Sequence, residues 1–187
     1  MGQTLQRPAT LDELQGVEGK AELIAGRIVR FMSSGVTPSQ VAFKIAASLD
    51  AHGEATKIGL AFADGIGYAI DPPLNNGRQS FSPDASFHLG PLPANRMRFI
   101  SGAPTFAVEV RSESDYVPLA LAEMADKRAD YFEAGTLIVW DVDPIAKLID
   151  AYRGDPVVPV ARFGPGDVAE ADLAVPGWRL VVDHLFT

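Results

Sequence analysis

The 187-residue sequence contains no cysteine, which removes disulfides, thiolate metal sites and cysteine nucleophiles from consideration. That absence fits a reducing, cytoplasmic setting. The histidines, His52, His88 and His184, are scattered, and without a His-x-x-x-His spacing nothing supports a histidine-built zinc site. No run of about 18 apolar residues occurs, so no segment reads as a membrane-spanning helix. The opening MGQTLQRPAT has no apolar signal core, and Gln6 stands where a myristoylation signal wants Ser or Thr. Positive charge is scarce too: 16 Lys and Arg face 24 Asp and Glu, a formal net charge of −8. Proteins that grip polyanions draw much of their affinity from a basic field. Tight unaided binding to duplex DNA is therefore not expected; a local basic patch or metal ions would have to offset the carboxylates.

Hydrophobic residues make up 47% of the chain and charged residues 21%, ordinary values for a globular protein. The length suits one domain over residues 1–187, with residues 1–9 a loose polar lead-in. Its organising stretch is PTFAVEVRSESD, Pro104 to Asp115. Phe106, Val108 and Val110 alternate with Ala107, Glu109 and Arg111, the period of a strand. Glu109 is a carboxylate in an otherwise apolar run, and removing it from water costs several kcal/mol, on the order of a buried ion, unless it is paired or holds a metal. It reads either as a core ion pair with Arg111 or as part of a site.

Around this stretch the pattern predicts a mixed α/β (α+β) fold on one sheet. TLDELQGVE, residues 10–18, reads as a short helical turn capped by Thr10. AELIAGRIVRFM reads as a hairpin turning at Ala25-Gly26, with Glu22 at its entrance. Thr37-Pro38-Ser39-Gln40 predicts the start of a helix running to about His52. Ile58 to Ala63 and Ile66 to Ile70 flank Asp64-Gly65, a hairpin signal. SFSPDASFHLG predicts a strand with Asp84 near its start. Pro91 to Gly102 reads as a basic loop carrying Arg96 and Arg98. Leu119 to Ala134 reads as a helix with Leu121, Met124, Ala125, Tyr131 and Phe132 on its apolar side, stopped by Gly135. On it, Lys127 reads as a surface lysine, with Glu123 four residues earlier as an available partner. TLIVWDVDP and Lys147 to Tyr152 read as strands, and AVPGWRL and VVDHLF complete the domain.

Pro83-Asp84 followed by Glu109-x-Arg111 places two carboxylates and a cation on two strands. Such a set can hold Mg²⁺ or Mn²⁺, lower the pKa of a bound water and stabilise a phosphorane-like transition state. The pattern resembles the PD-(D/E)XK nuclease superfamily, with arginine where lysine is expected. AELIAGRIVRFM, SPDASF, FAVEVRSESD, KRADYFEAGTLIVWDVDP and VPGWRL…LF, in that order, resemble the bacterial Uma-two family of restriction-endonuclease-like proteins. The resemblance implies a restriction-endonuclease-like core, a central mixed sheet flanked by helices, and hydrolysis of phosphodiester bonds in DNA. It matches Asp84 and Glu109 to the metal-binding carboxylates, with the Val110 carbonyl as a third ligand. Lys127 matches a lysine on the following helix that replaces the strand lysine, and Glu22 matches an additional acid near the metal. Arg111 stands as the rival catalytic cation. Two other functions are weighed against a Mg²⁺- or Mn²⁺-dependent endonuclease: a degenerate nuclease-like binding or assembly module, and a metal-free hydrolase using Asp84 and Glu109 as acid and base. No membrane partner is expected, and two copies side by side would present two sites to the two strands of a duplex. The expected homodimer is checked by sedimentation at micromolar concentration, where a single species of about 20 kDa would contradict it.

Overall fold

The computed structural model describes residues 7–187; the first six residues of the expected lead-in lie outside the described residues. Thr10 caps α1 (Leu11–Gln15) through a reciprocal capping box with Glu13, so two backbone donors at the helix start are satisfied by side chains. β1 (Ala21–Ile24) and β2 (Arg27–Arg30) form the predicted antiparallel hairpin. Ala25 and Gly26 both take positive φ, 48° and 71°, the conformation a two-residue turn between twisted strands requires. α2 (Val36–Thr56) is longer than predicted, ends one turn beyond His52 and is capped by Gly35 with no side-chain bond. Thr37 therefore lies inside the helix, and Pro38 is tolerated because first-turn N–H groups have no helical acceptor. Val41, Ile45 and Leu49 bury one face of it, as their four-residue spacing predicts.

β3 (Leu60–Ala63) and β4 (Tyr68–Ala69) do not form the predicted hairpin. β4 lies between β5 (Ser80–Phe81) and β7 (Ile100–Ser101), the latter within the stretch read as a loop. β3 instead pairs antiparallel with β6 (Ala85–His88). Asp64-Gly65 does reverse the chain, but a turn signal does not choose the partner: β3 faces β6, while Tyr68 and Ala69 of β4 find their partners in β5 and β7. β8 (Phe106–Val110) is followed by a 3₁₀ turn (Glu113–Tyr116), α3 (Pro118–Glu133) and β9 (Ile138–Asp143), which lies parallel to β8. This is the β-helix-β crossover that parallel neighbours need. β10 (Leu148–Tyr152) and β11 (Ala161–Phe163) extend the sheet, and β12 (Val168–Glu170) with β13 (Arg179–Val181) forms a separate pair.

The central sheet thus has six strands in the order β11-β10-β9-β8-β6-β3, mixed in direction. The alternation in β8 decides its two faces. Phe106, Val108 and Val110 join α2, Trp140 and Trp178 in the larger core, while Ala107 joins Tyr131 of α3 with Tyr68, Phe81 and Val139. Glu109, in step with Ala107, therefore points to the α3 side. Phe106 packs edge-on to Trp140 at 5.1 Å between ring centres and leans on Trp178 at 5.8 Å. Truncation to alanine leaves a large void. Phe106→Ala should lower unfolding free energy by about 3–5 kcal/mol in a urea titration, with little effect on the charged residues across the sheet.

Candidate active site

Asp84 and Glu109 reach one end of the sheet from adjacent antiparallel strands. The Asp84 N–H donates to the Val108 carbonyl at 3.0 Å, just before the Ala85–Val108 pair. Its carboxylate Oδ2 accepts the Val110 N–H at 2.7 Å, which fixes the side chain against β8. Both carboxylates, with Glu22, Lys127 and Val110, line one cavity of about 1180 Å³ between the β1–β2 hairpin and α3. The two acids expected to share a site both line this cavity.

Lys127 is not the surface residue its position in a helix suggested. Its Nζ sits 2.9 Å from Glu109 Oε1 and 3.0 Å from Glu22 Oε1, so its partners are these two acids and not Glu123. The Tyr131 hydroxyl, one turn further along α3, donates to Glu109 Oε1 at 2.7 Å. The four-residue spacing puts both groups on one helical face. The apolar stripe expected for α3 is mixed with charge: Tyr131 is buried and Phe132 packs against its core, but Arg128 and Asp130 are buried as well, whereas Leu121 is exposed. The helix contributes ion pairs to the interior because the facing strands and loops carry the complementary charges.

Glu22 is fully buried. Its Oε2 accepts from Arg78, and Oε1 accepts the Ser82 N–H at 3.0 Å in addition to Lys127. Arg78 also donates to Asp130 at 2.6 Å, and Asn76 donates to the same carboxylate. The network ties hairpin, loop and α3 together. Burial pushes the Glu22 carboxyl up, but Lys127 and Arg78 outweigh it and hold the group below the usual carboxylate range. Glu109 moves the other way: burial raises it, Lys127 counteracts, and nearby Asp84 adds to the rise. Burial alone would lower the Lys127 ammonium, yet Glu109 and Glu22 raise it, so it stays charged.

Arg111 does not pair with Glu109. Its guanidinium grips Asp141 bidentately at 2.8 and 3.0 Å and reaches Asp143 at 3.2 Å. Arg128 holds Asp141 from the other side at 2.9 Å. Arg111 thus closes a charge cluster on β9, a planar fork used for what it does best. Sequence reasoning missed Lys20, whose ammonium bonds Asp84 Oδ1 and lies 2.9 Å from Asp64. The one signal for it was its place two residues before Glu22, in step with it across the hairpin entrance. Arg78 and Tyr131 were missed as site residues too, one in a loop without pattern and the other read as apolar.

Residues 8–183 match the family described as "Uma2: Putative restriction endonuclease". The chain belongs to that family. Comparison with curated proteins finds no match. Among solved structures the Uma2 chain is similar to one described as a putative nuclease belonging to DUF820, from Anabaena variabilis ATCC 29413. That likeness has a TM-score of 0.73 at 20% identity, covering 96% of this chain and 98% of the other. At that identity the likeness establishes the fold. Family and fold together support a nuclease function in general terms. Among the described residues, no helix of this Uma2 protein is long and apolar enough to cross a membrane.

The charge state of Glu22 gives a pH-dependent consequence. Because its folded pKa lies below the unfolded one, its contribution to stability is present above the ordinary carboxylate value of about 4.3 and is lost as pH falls through the depressed folded value. Glu22→Gln should therefore be less stable than wild type at neutral pH by about 3–5 kcal/mol, the cost of stripping a buried partner. The two urea midpoints should converge in acid.

Proposed function

We infer that this protein is a Mg²⁺- or Mn²⁺-dependent endonuclease that hydrolyses phosphodiester bonds in DNA. The observation that carries the reading is Lys127, held between Glu109 and Glu22 in the cavity that also receives Asp84. The donor set fits a hard cation: Asp84 and Glu109 offer carboxylate oxygens, and the Val110 carbonyl is the proposed third donor. Mg²⁺ commonly takes only one or two carboxylates and keeps several waters. When bound, the ion supplies a water of lowered pKa and Lewis-acid stabilisation of charge on the phosphoryl oxygens.

The chain's own groups do the rest. Asp84 is oriented by the Val110 N–H, and Glu109 by Tyr131. Lys127 offers its ammonium to a phosphate oxygen or to the attacking water, on a stem whose root is fixed by α3. Glu22 acts as a positioning residue, buried behind Lys127 and holding it toward the cavity. Arg111, committed to Asp141 and Asp143, supports the sheet end. A homodimer in the cytoplasm remains part of this reading, since a chain of net charge −8 gains little from non-specific attraction to a duplex. The same acidity, and the ion-pairing of both carboxylates, favour the second reading of a nuclease-like binding module without catalysis.

Nicking of supercoiled plasmid DNA with Mg²⁺ or Mn²⁺ separates the two. Wild type should nick, and Asp84→Ala and Glu109→Ala should not. Lys127→Ala should lose about a hundredfold or more in rate, the size of a lost transition-state donor, and also some stability, because it strips Glu22 and Glu109 of a shared partner; rates are compared where circular dichroism shows the variant folded. Arg111→Ala should lose stability at least as much as activity. Wild-type nicking no greater than that of Glu109→Ala would defeat the enzymatic reading in favour of the binding module.

A further inference from the structure

Lys20 immediately precedes β1, and its backbone carbonyl accepts the Phe31 N–H at 3.0 Å as the hairpin closes. Its side chain is largely buried, 18% exposed, and ends between two carboxylates. Asp84 is 13% exposed and faces the candidate site, whereas Asp64, in the turn after β3, is 50% exposed and faces outward. Asp64 and Asp84 share the wall of a small adjoining cleft. The ammonium is held in its charged form, because the pull of Asp84 and Glu109 outweighs the cost of burial. Thus a fixed positive charge already sits on a carboxylate that the proposed function assigns to a metal ion, with a second anion 2.9 Å away.

Two cations cannot share Asp84 at close range without strong repulsion. Lys20 has somewhere to go: its long stem can keep the contact to Asp64 while releasing Asp84. We propose that Lys20 is a built-in counter-ion that competes with a divalent cation for Asp84 and is handed over to Asp64 when the cation binds. This rests on the metal-dependent reading above and adds a device that sets its affinity. Without a divalent ion, Lys20 neutralises an acid that would otherwise repel Glu109. With one, the displaced ammonium remains beside the site as a positive charge on the side facing the hairpin.

The arrangement makes predictions of opposite sign for the two partners. Lys20→Met removes the competitor, so Mn²⁺ should bind at least about tenfold tighter in isothermal titration calorimetry near neutral pH. Asp64→Asn removes the refuge, so Mn²⁺ should bind about tenfold weaker. In the double variant the Asp64 substitution should have no further effect, because Asp64 acts through Lys20. Lys20→Gln, which keeps a polar group beside the carboxylates, should behave as Lys20→Met and serves if the methionine variant fails to fold. Near-UV circular dichroism checks that each variant is native. Binding by a Lys20 variant with wild type silent would support the proposal in its strongest form. Wild-type binding with the Lys20 variants unchanged or weaker, or a full Asp64→Asn loss in the double variant, would overturn it and leave the metal site standing. If no variant binds Mn²⁺, the metal-dependent reading falls and this inference with it.

Discussion

The interior ammonium of Lys127 is the contact on which the rest of the site depends. It lies between a fully buried Glu22 and a largely buried Glu109 and offsets the cost of burying both carboxylates. Arg78 supplies the second positive charge that Glu22 requires and passes the constraint on to Asp130 of α3. Hairpin and helix are therefore locked by charges that satisfy one another, with little hydrophobic contact between them. An arrangement of this type adds little net stability compared with apolar packing, but it tolerates no missing member. It specifies where α3 sits along the sheet, and that placement puts Lys127 beside Glu109.

The two basic groups that sequence considerations set in competition turn out to serve neighbouring carboxylates at one end of the sheet. Arg111, two residues beyond Glu109, lies in step with it, yet the cross-strand neighbour of Glu109 is Asp141. A guanidinium placed there finds a bidentate partner at once and Asp143 beyond it. The flexible lysine arrives from the helix instead. Proximity in sequence predicted the wrong cation for Glu109 because a strand offers its charged residues to the neighbouring strand as readily as to one another.

What could be read in advance followed local periodicity. The alternation around Glu109, the Ala25-Gly26 hairpin, the four-residue repeat of α2 and the Gly135 stop of α3 all have causes within a few residues of themselves. Asp84, Glu109, Glu22 and Lys127 stood out through the resemblance of their surrounding blocks to a family, and the fold places them around one cavity. The failures were non-local. The Asp64-Gly65 turn was visible, but the partners that part β3 from β4 lie far along the chain, β6 for the one and β5 and β7 for the other. Lys20 and Arg78 had no pattern to betray them, since a lysine at a strand entrance and an arginine in a loop are ordinary surface residues until the opposing carboxylates are known. α3 was misjudged because buried charges on a helix look like exposed ones in sequence.

The separations along the chain carry a consequence for folding. Glu22 meets Arg78 across 56 residues, Lys20 meets Asp84 across 64, and Tyr131 meets Glu109 across 22. Contacts of such range form only after the chain entropy of closing large loops has been overcome, so they belong to the late part of assembly. A partly folded chain would leave these charges apart and hydrated, with no cavity and no paired acids. The cluster is thus a marker of completed folding, and whatever chemistry it performs is withheld until hairpin, sheet and helix have all docked.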